Sequence, residues 1–171
     1  MPLLVTGFHG CHIETAMNIV SGVGFKHSEN GYDWLGTGVY FWEDAPDRAA
    51  EWAHSRFGTD GAVISATIRL GNSLNLLDIT HFNWLKDSYN GLVTRSLNLP
   101  TNKNKRHYLD YIVVDTYCED TIVQGASPFQ TVRACFPEGP ALYPGSRILR
   151  ETHIQVSVRD SDCISNLAVV K

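Results

Sequence analysis

Across residues 62–70, Ile64, Ala66, Ile68 and Leu70 take every second place, with Ser65, Thr67 and Arg69 between them. Only an extended strand buries alternate side chains, so this stretch must join a sheet with one covered face. Helical patterns before and after it supply the cover. Ile13, Ala16, Met17 and Val20 fall at i, i+3, i+4 and i+7, with Gly22 where such a helix would end. Asp44 has the chemistry of an N-cap, with Pro46 in the first turn and Asp47 three residues on. Ala49, Trp52 and Ala53 would line the buried face of that helix, and Gly58 would end it. Two more helical stretches are expected near 79–94 and 105–119, joined by a loop around Pro100.

Further strands are expected at 3–8, ending at His9-Gly10, at 38–42, at 129–135 and at 153–159. Residues 28–37, rich in Gly, Asn, Asp and Ser, and residues 136–146, rich in Pro and Gly, read as loops. The order is strand, helix, strand, helix, strand, a helical insert, then strands. That order predicts an α+β fold with a mostly antiparallel sheet and flanking helices. With 171 residues, the chain is long enough for one core and short for two, so 1–171 is read as a single domain.

No apolar run approaches the length of a membrane span, and the first residues lack the basic region of a signal peptide. Cys11, Cys118, Cys135 and Cys163 are scattered, with no C-x-x-C pair, which reads as reduced thiols in a cytoplasmic protein. His9-Gly10-Cys11-His12 offers metal-ligand chemistry, but neighbours in a strand point to opposite faces and no second ligand pair answers them. No metal site is expected. The formal net charge of −4 argues against a protein that coats nucleic acid nonspecifically. Lys103, Lys105, Arg106 and His107 form the one basic cluster, which a solvated loop explains equally well.

Three segments hold chemistry: Phe8-His9-Gly10, Gly36-Thr37-Gly38-Val39-Tyr40-Phe41, and His153-Ile154-Gln155-Val156-Ser157-Val158. Taken singly, each has a structural reading. His9 would be a hydrogen-bonded strand histidine, and Tyr40 and Phe41 core aromatics. Gly36-Thr37-Gly38 lacks the third glycine and the following helix of a dinucleotide-binding turn.

Taken in order, the segments resemble the H-Y-E class of ADP-ribosyltransferases, which includes the poly(ADP-ribose) polymerases and diphtheria toxin. The match runs from Phe8-His9-Gly10 through Gly38-Val39-Tyr40-Phe41 and the helix of Ala49-Ala50-Glu51-Trp52 to the late strand. The resemblance implies an ADP-ribosyltransferase-like fold with a split sheet, and NAD⁺ as co-substrate. It makes Tyr40 and Trp52 two aromatic walls for the cationic nicotinamide ring. It brings the backbone of Gly10 to the nicotinamide amide and His9 to the adenosine ribose. Gly38, Phe41 and Ala49 complete the expected NAD⁺-binding set.

Gln155 stands where the family carries its catalytic glutamate. A glutamine can hydrogen-bond a ribose hydroxyl but cannot offset positive charge. Glu138, on the loop before the late strand, is then a candidate for contact with the acceptor. The expected catalytic set is Gln155, Tyr40, His9 and Glu138. The implied activity is mono-ADP-ribosylation of a protein or nucleic-acid acceptor, with release of nicotinamide. A compact transferase of this kind is expected to be a bacterial intracellular toxin or defence effector, with a neutralising antitoxin as a possible partner and no membrane. Gln155 also fits a catalytically weak NAD or ADP-ribose-binding module. An RNA 2′-phosphotransferase shares the fold but relies on basic residues that the acidic balance here disfavours.

Overall fold

The computed structural model describes residues 3–95 and 98–170; the first two residues, part of the stretch read for a leader, lie outside it. Among the described residues, the α+β molecule has four helices and one open, mixed, mostly antiparallel sheet of seven strands, in the order β4-β5-β6-β2-β1-β3-β7. β1 (Leu4–His12) and β3 (Gly61–Arg69) pair along their whole lengths, from Leu4 against Arg69 to His12 against Gly61. The alternation read in residues 62–70 is therefore real, with Ile64, Ala66 and Ile68 at most 1% exposed.

β1 does not end at His9-Gly10 as expected. Gly10 is there for a different reason: a Cβ on it would lie 2.8 Å from Ala49 O and 3.1 Å from the Trp52 ring. The glycine admits a helix against the strand rather than stopping the strand.

β2 (Val39–Glu43) meets β1 only at Gly7 with Glu43 and Phe8 with Trp42. On its other side it pairs over all five residues with β6 (His153–Val158). β6 pairs in turn with β5 (Thr131–Phe136), whose far neighbour β4 (Ser73–Asn75) runs parallel to it. β7 (Ile164–Val169) closes the other edge against β3. β4 and β7 are not legible in the sequence. Three residues are too few to show a period, and Ser165 and Asn166 interrupt the apolar pattern of β7.

Neighbouring strand residues face opposite sides, so Phe41 and Trp42 serve different cores. Phe41 packs with Val39, Ile68, Val156 and Val158 on one face. On the other, Trp42 packs with Ala49 and Val63 beneath α2 (Pro46–Phe57). Leu74, Val132 and Ala134 on that same face lie under Val114 and Cys118 of α4 (Tyr108–Val123). α3 (Thr80–Arg95) packs on α4.

Helix boundaries differ from expectation for local reasons. α1 (Ile13–Asn18) is short and passes into a wide turn at Ile19–Val23, where Gly22 has φ 105°. Its buried residues are Ala16 and Ile19, while Ile13 and Met17 are exposed, so the expected stripe is rotated. The N-cap of α2 is Ala45, not Asp44. Asp44 sits at φ 49° with its N–H given to Thr6 O, in a turn whose left-handed backbone differs from the extended one of a capping residue. Pro46 does take the first helical position, and Gly58 ends α2 at φ 59°. α4 starts three residues later than expected because Asn104 and Lys105 adopt positive φ in a turn closed by Lys103 and Arg106. Among the described residues, no helix is long and apolar enough to cross a membrane.

Candidate functional site

The sheet loosens where β1 and β2 part, and His9 stands at that point. Its Nδ1 lies 2.9 Å from Tyr40 O. A carbonyl only accepts, so Nδ1 carries the proton and Nε2 is left as an acceptor. The ring is held by Phe25, edge-on at 5.2 Å, and by Phe41 at 5.6 Å. Burial pushes its pKa below the ordinary value of 6.5, outweighing the bond to Tyr40. Near pH 7 the histidine is therefore neutral. It lines a cavity of about 290 Å³ with Thr15, Asn18, Ile19, Phe25 and Lys26. Phe41, expected to contact NAD⁺, is fully buried against the His9 ring.

The opposite face of the sheet gathers most of the other expected residues. Trp52, on α2, lies over Gly10 and has Trp42 at 5.7 Å and Tyr32 at 6.5 Å. Tyr40 packs elsewhere, in the cluster of Leu35, Leu74 and Val132. Its hydroxyl donates to Gly36 O at 2.7 Å and accepts from Leu35 N at 2.9 Å. Burial pushes that phenol far above its ordinary pKa, so it stays protonated. The β2 ring beside Trp52 is thus Trp42, and Tyr40 shapes the loop before β2. Gly38 is forced by packing: a Cβ there would collide with Ser157 Oγ and lie 2.9 Å from Val158 O. Ala49 is fully buried, and its carbonyl faces Gly10.

Gln155 lies opposite Trp42 on β2 and Ala134 on β5. Its Oε1 accepts from Trp34 Nε1 at 2.7 Å, and the Trp34 ring packs on Phe136 at 4.7 Å. The loop carrying Trp34 is anchored to α4. Asp115 accepts from Thr37 N at 2.8 Å, from Thr37 Oγ1 at 2.7 Å and from Arg159 Nη1 at 2.6 Å. The bond turns Oε1 toward Trp34 and leaves the Gln155 amide N–H groups on the other side of the group.

Glu138 belongs to a charge network. Arg48 of α2 reaches Glu51 at 2.8 Å, Glu138 at 3.4 Å and Glu151 at 3.6 Å, while Arg150 reaches Glu51 at 2.9 Å. These pairs tie the loop between β5 and β6 to α2. Arg150 and then Arg48 hold the Glu51 carboxyl below its ordinary range.

Sequence reasoning did not anticipate Trp34, Trp42, Arg48 or His153. His153 faces the same side as Gln155, two residues along β6, and that spacing of two was the available signal. Its Nδ1 lies 2.6 Å from Glu151 O, while its Nε2 and Trp42 Nε1 are both buried without a hydrogen-bond partner. All four cysteines are free, and among the described residues no group of three or more His, Cys, Asp or Glu is placed to hold a metal ion. No protein-family model matches the chain, and no curated protein matches it significantly.

Proposed function

We propose that the chain is an NAD⁺-dependent mono-ADP-ribosyltransferase on an ADP-ribosyltransferase-like sheet that splits between β1 and β2. The observation that carries this reading is His9. It stands where the β1–β2 ladder ends, its tautomer set by Tyr40 O, and it lines a cavity of about 290 Å³. That volume is near the lower end for small-ligand sites, about 300 Å³. It suits the adenosine half of NAD⁺, with Nε2 accepting from a ribose hydroxyl. On the other face, Trp52, packed on the buried Trp42, offers a π face to a cationic nicotinamide ring. Gln155 donates to the nicotinamide-side ribose and orients it as the oxocarbenium ion develops. Lacking charge, it stabilises that ion less than a carboxylate would. Glu138 and its network hold the loop that meets the acceptor.

In this reading the protein works in the cytoplasm on a protein or nucleic-acid acceptor, as a bacterial toxin or defence effector held in check by an antitoxin. A second reading, a catalytically weak NAD or ADP-ribose-binding module, draws on the Trp34 hydrogen bond that occupies the Gln155 carbonyl. Incubation with adenylate-labelled NAD⁺ and cell lysate, followed by nuclease or protease, separates the two. A transferase liberates nicotinamide and leaves label on one digestible class of acceptor. Binding without nicotinamide release supports the module, and no NAD⁺ binding at all rules out both.

A further inference from the structure

Transfer to an O–H or N–H acceptor produces a proton, and the groups assigned so far are poorly suited to take it. An amide such as Gln155 is not a base near neutral pH. Glu138 is engaged by Arg48 at 3.4 Å. A second observation points elsewhere. Buried polar atoms are nearly always hydrogen-bonded, yet two on the Gln155 face are not: His153 Nε2 and Trp42 Nε1.

His153 is 6% exposed and Trp42 7%, with ring centroids 6.0 Å apart. Phe136 borders the imidazole on its other side at 5.6 Å. Since Glu151 O can only accept, Nδ1 holds the proton, and Nε2 is a bare acceptor. Trp42 Nε1 is only a donor. His153 and Gln155 lie side by side, about 7 Å apart along the strand. The orphan pair therefore adjoins the residue that would hold the reacting ribose.

The chemistry of the pair narrows the ligand to a group that both donates and accepts. A carboxylate would satisfy Trp42 but has no proton for His153. A guanidinium would satisfy His153 but has no lone pair for Trp42. A hydroxyl satisfies both. We propose that His153 is the general base for transfer to a hydroxyl acceptor, with Trp42 Nε1 donating to the same oxygen. This rests on the transferase reading. The C1′–N bond of NAD⁺ breaks with its electron pair, leaving neutral nicotinamide. The acceptor oxygen bonds to C1′, and its proton moves to Nε2 to give an imidazolium that later returns it to water.

Burial and Arg48 of α2 keep His153 neutral, against Glu138 and Glu151 of the adjoining loop. The test uses methanol as the small hydroxyl acceptor, with methyl-ADP-ribose and nicotinamide as readouts. General-base loss amounts to about 10²–10⁴-fold, so His153→Gln should lower methanol transfer by that factor while NAD⁺ affinity changes less than about twofold. In the parent, transfer should decline as pH falls through a value below 6.5. Should the variant not fold, the parent profile and a choice between methanol and ethylguanidine still decide the matter. Transfer that does not decline down to the lowest pH at which the protein stays folded, preference for the guanidine, or a fully active His153→Gln would each overturn the assignment. A parent protein that releases no nicotinamide would instead refute the transferase reading, and this inference with it.

Discussion

Trp34 Nε1 donates to Gln155 Oε1 at 2.7 Å, joining a loop to a strand 121 residues further along the chain. The bond decides which end of the amide is presented, because an oxygen held by an indole leaves the N–H groups free. The residue proposed to hold the reacting ribose is thereby oriented by one that no motif marks.

Trp34→Phe keeps a ring on Phe136 and removes only the donor. A neutral hydrogen bond contributes about 0.5–1.5 kcal/mol, so transfer should fall by up to about tenfold. Gln155→Ala should cost about two to three orders of magnitude, the usual loss of one positioned polar group. In the Gln155→Ala background Trp34→Phe should add nothing, and strictly additive losses would show that Trp34 does not act through Gln155. Gln155→Glu keeps an oxygen for Trp34 and turns the other outward, so NAD⁺ hydrolysis should hold or rise.

Tyr40 and Trp52 should separate in their effects. Tyr40→Phe leaves Leu35 N and Gly36 O without their partner and should cost about 1–3 kcal/mol of stability. Trp52→Ala should weaken NAD⁺ binding by about 1–2 kcal/mol through lost cation–π contact. Thermal melts and NAD⁺ titrations on both variants check this. Equal NAD⁺ affinity in Trp52→Ala and the parent would remove Trp52 from the site.

Arg133 and Glu43 form a two-pronged pair, Nε to Oε2 at 2.6 Å and Nη2 to Oε1 at 2.5 Å, with side chains 14% and 7% exposed. Arg133→Met strands a buried carboxylate and should cost about 3–5 kcal/mol, whereas Arg133→Met with Glu43→Leu should be close to neutral. Urea denaturation measures both. A single variant as stable as the parent would mean that the pair is solvated.

His9 and His153 both have pKa values lowered from 6.5 by burial. Below 6.5 the unfolded chain takes up protons that the folded chain refuses, so stability falls with falling pH until the folded pKa values are passed. Above 6.5 these groups contribute no slope. Melting temperature should therefore drop between pH 7 and 5, and His9→Asn and His153→Gln should each flatten the drop. Unchanged slopes in both variants would place the acid sensitivity elsewhere.

Local pattern alone was enough for β3, for the buried alanines 49 and 53 of α2, and for the glycine at position 58 that ends it. Each depends on a period of two or 3.6 residues, or on one backbone angle, that the chain carries within a short window. His9, Gly10, Trp52 and Gln155 could be named as candidates from the order of short segments. Their partners could not. The register of β2 on β6 sets Trp42 against Gln155, the fold of a loop brings Trp34 to the same amide, and α2 brings Arg48 to Glu138 and Glu151. Asp44 lost the N-cap because the turn out of β2 sets it at φ 49°, and the Tyr40 ring packs on the residues beneath α4. Such contacts join residues tens of positions apart, and no short-range period encodes them. They exist only once sheet register and helix packing are set together, because each side chain then meets whatever the neighbouring strand or helix brings opposite it.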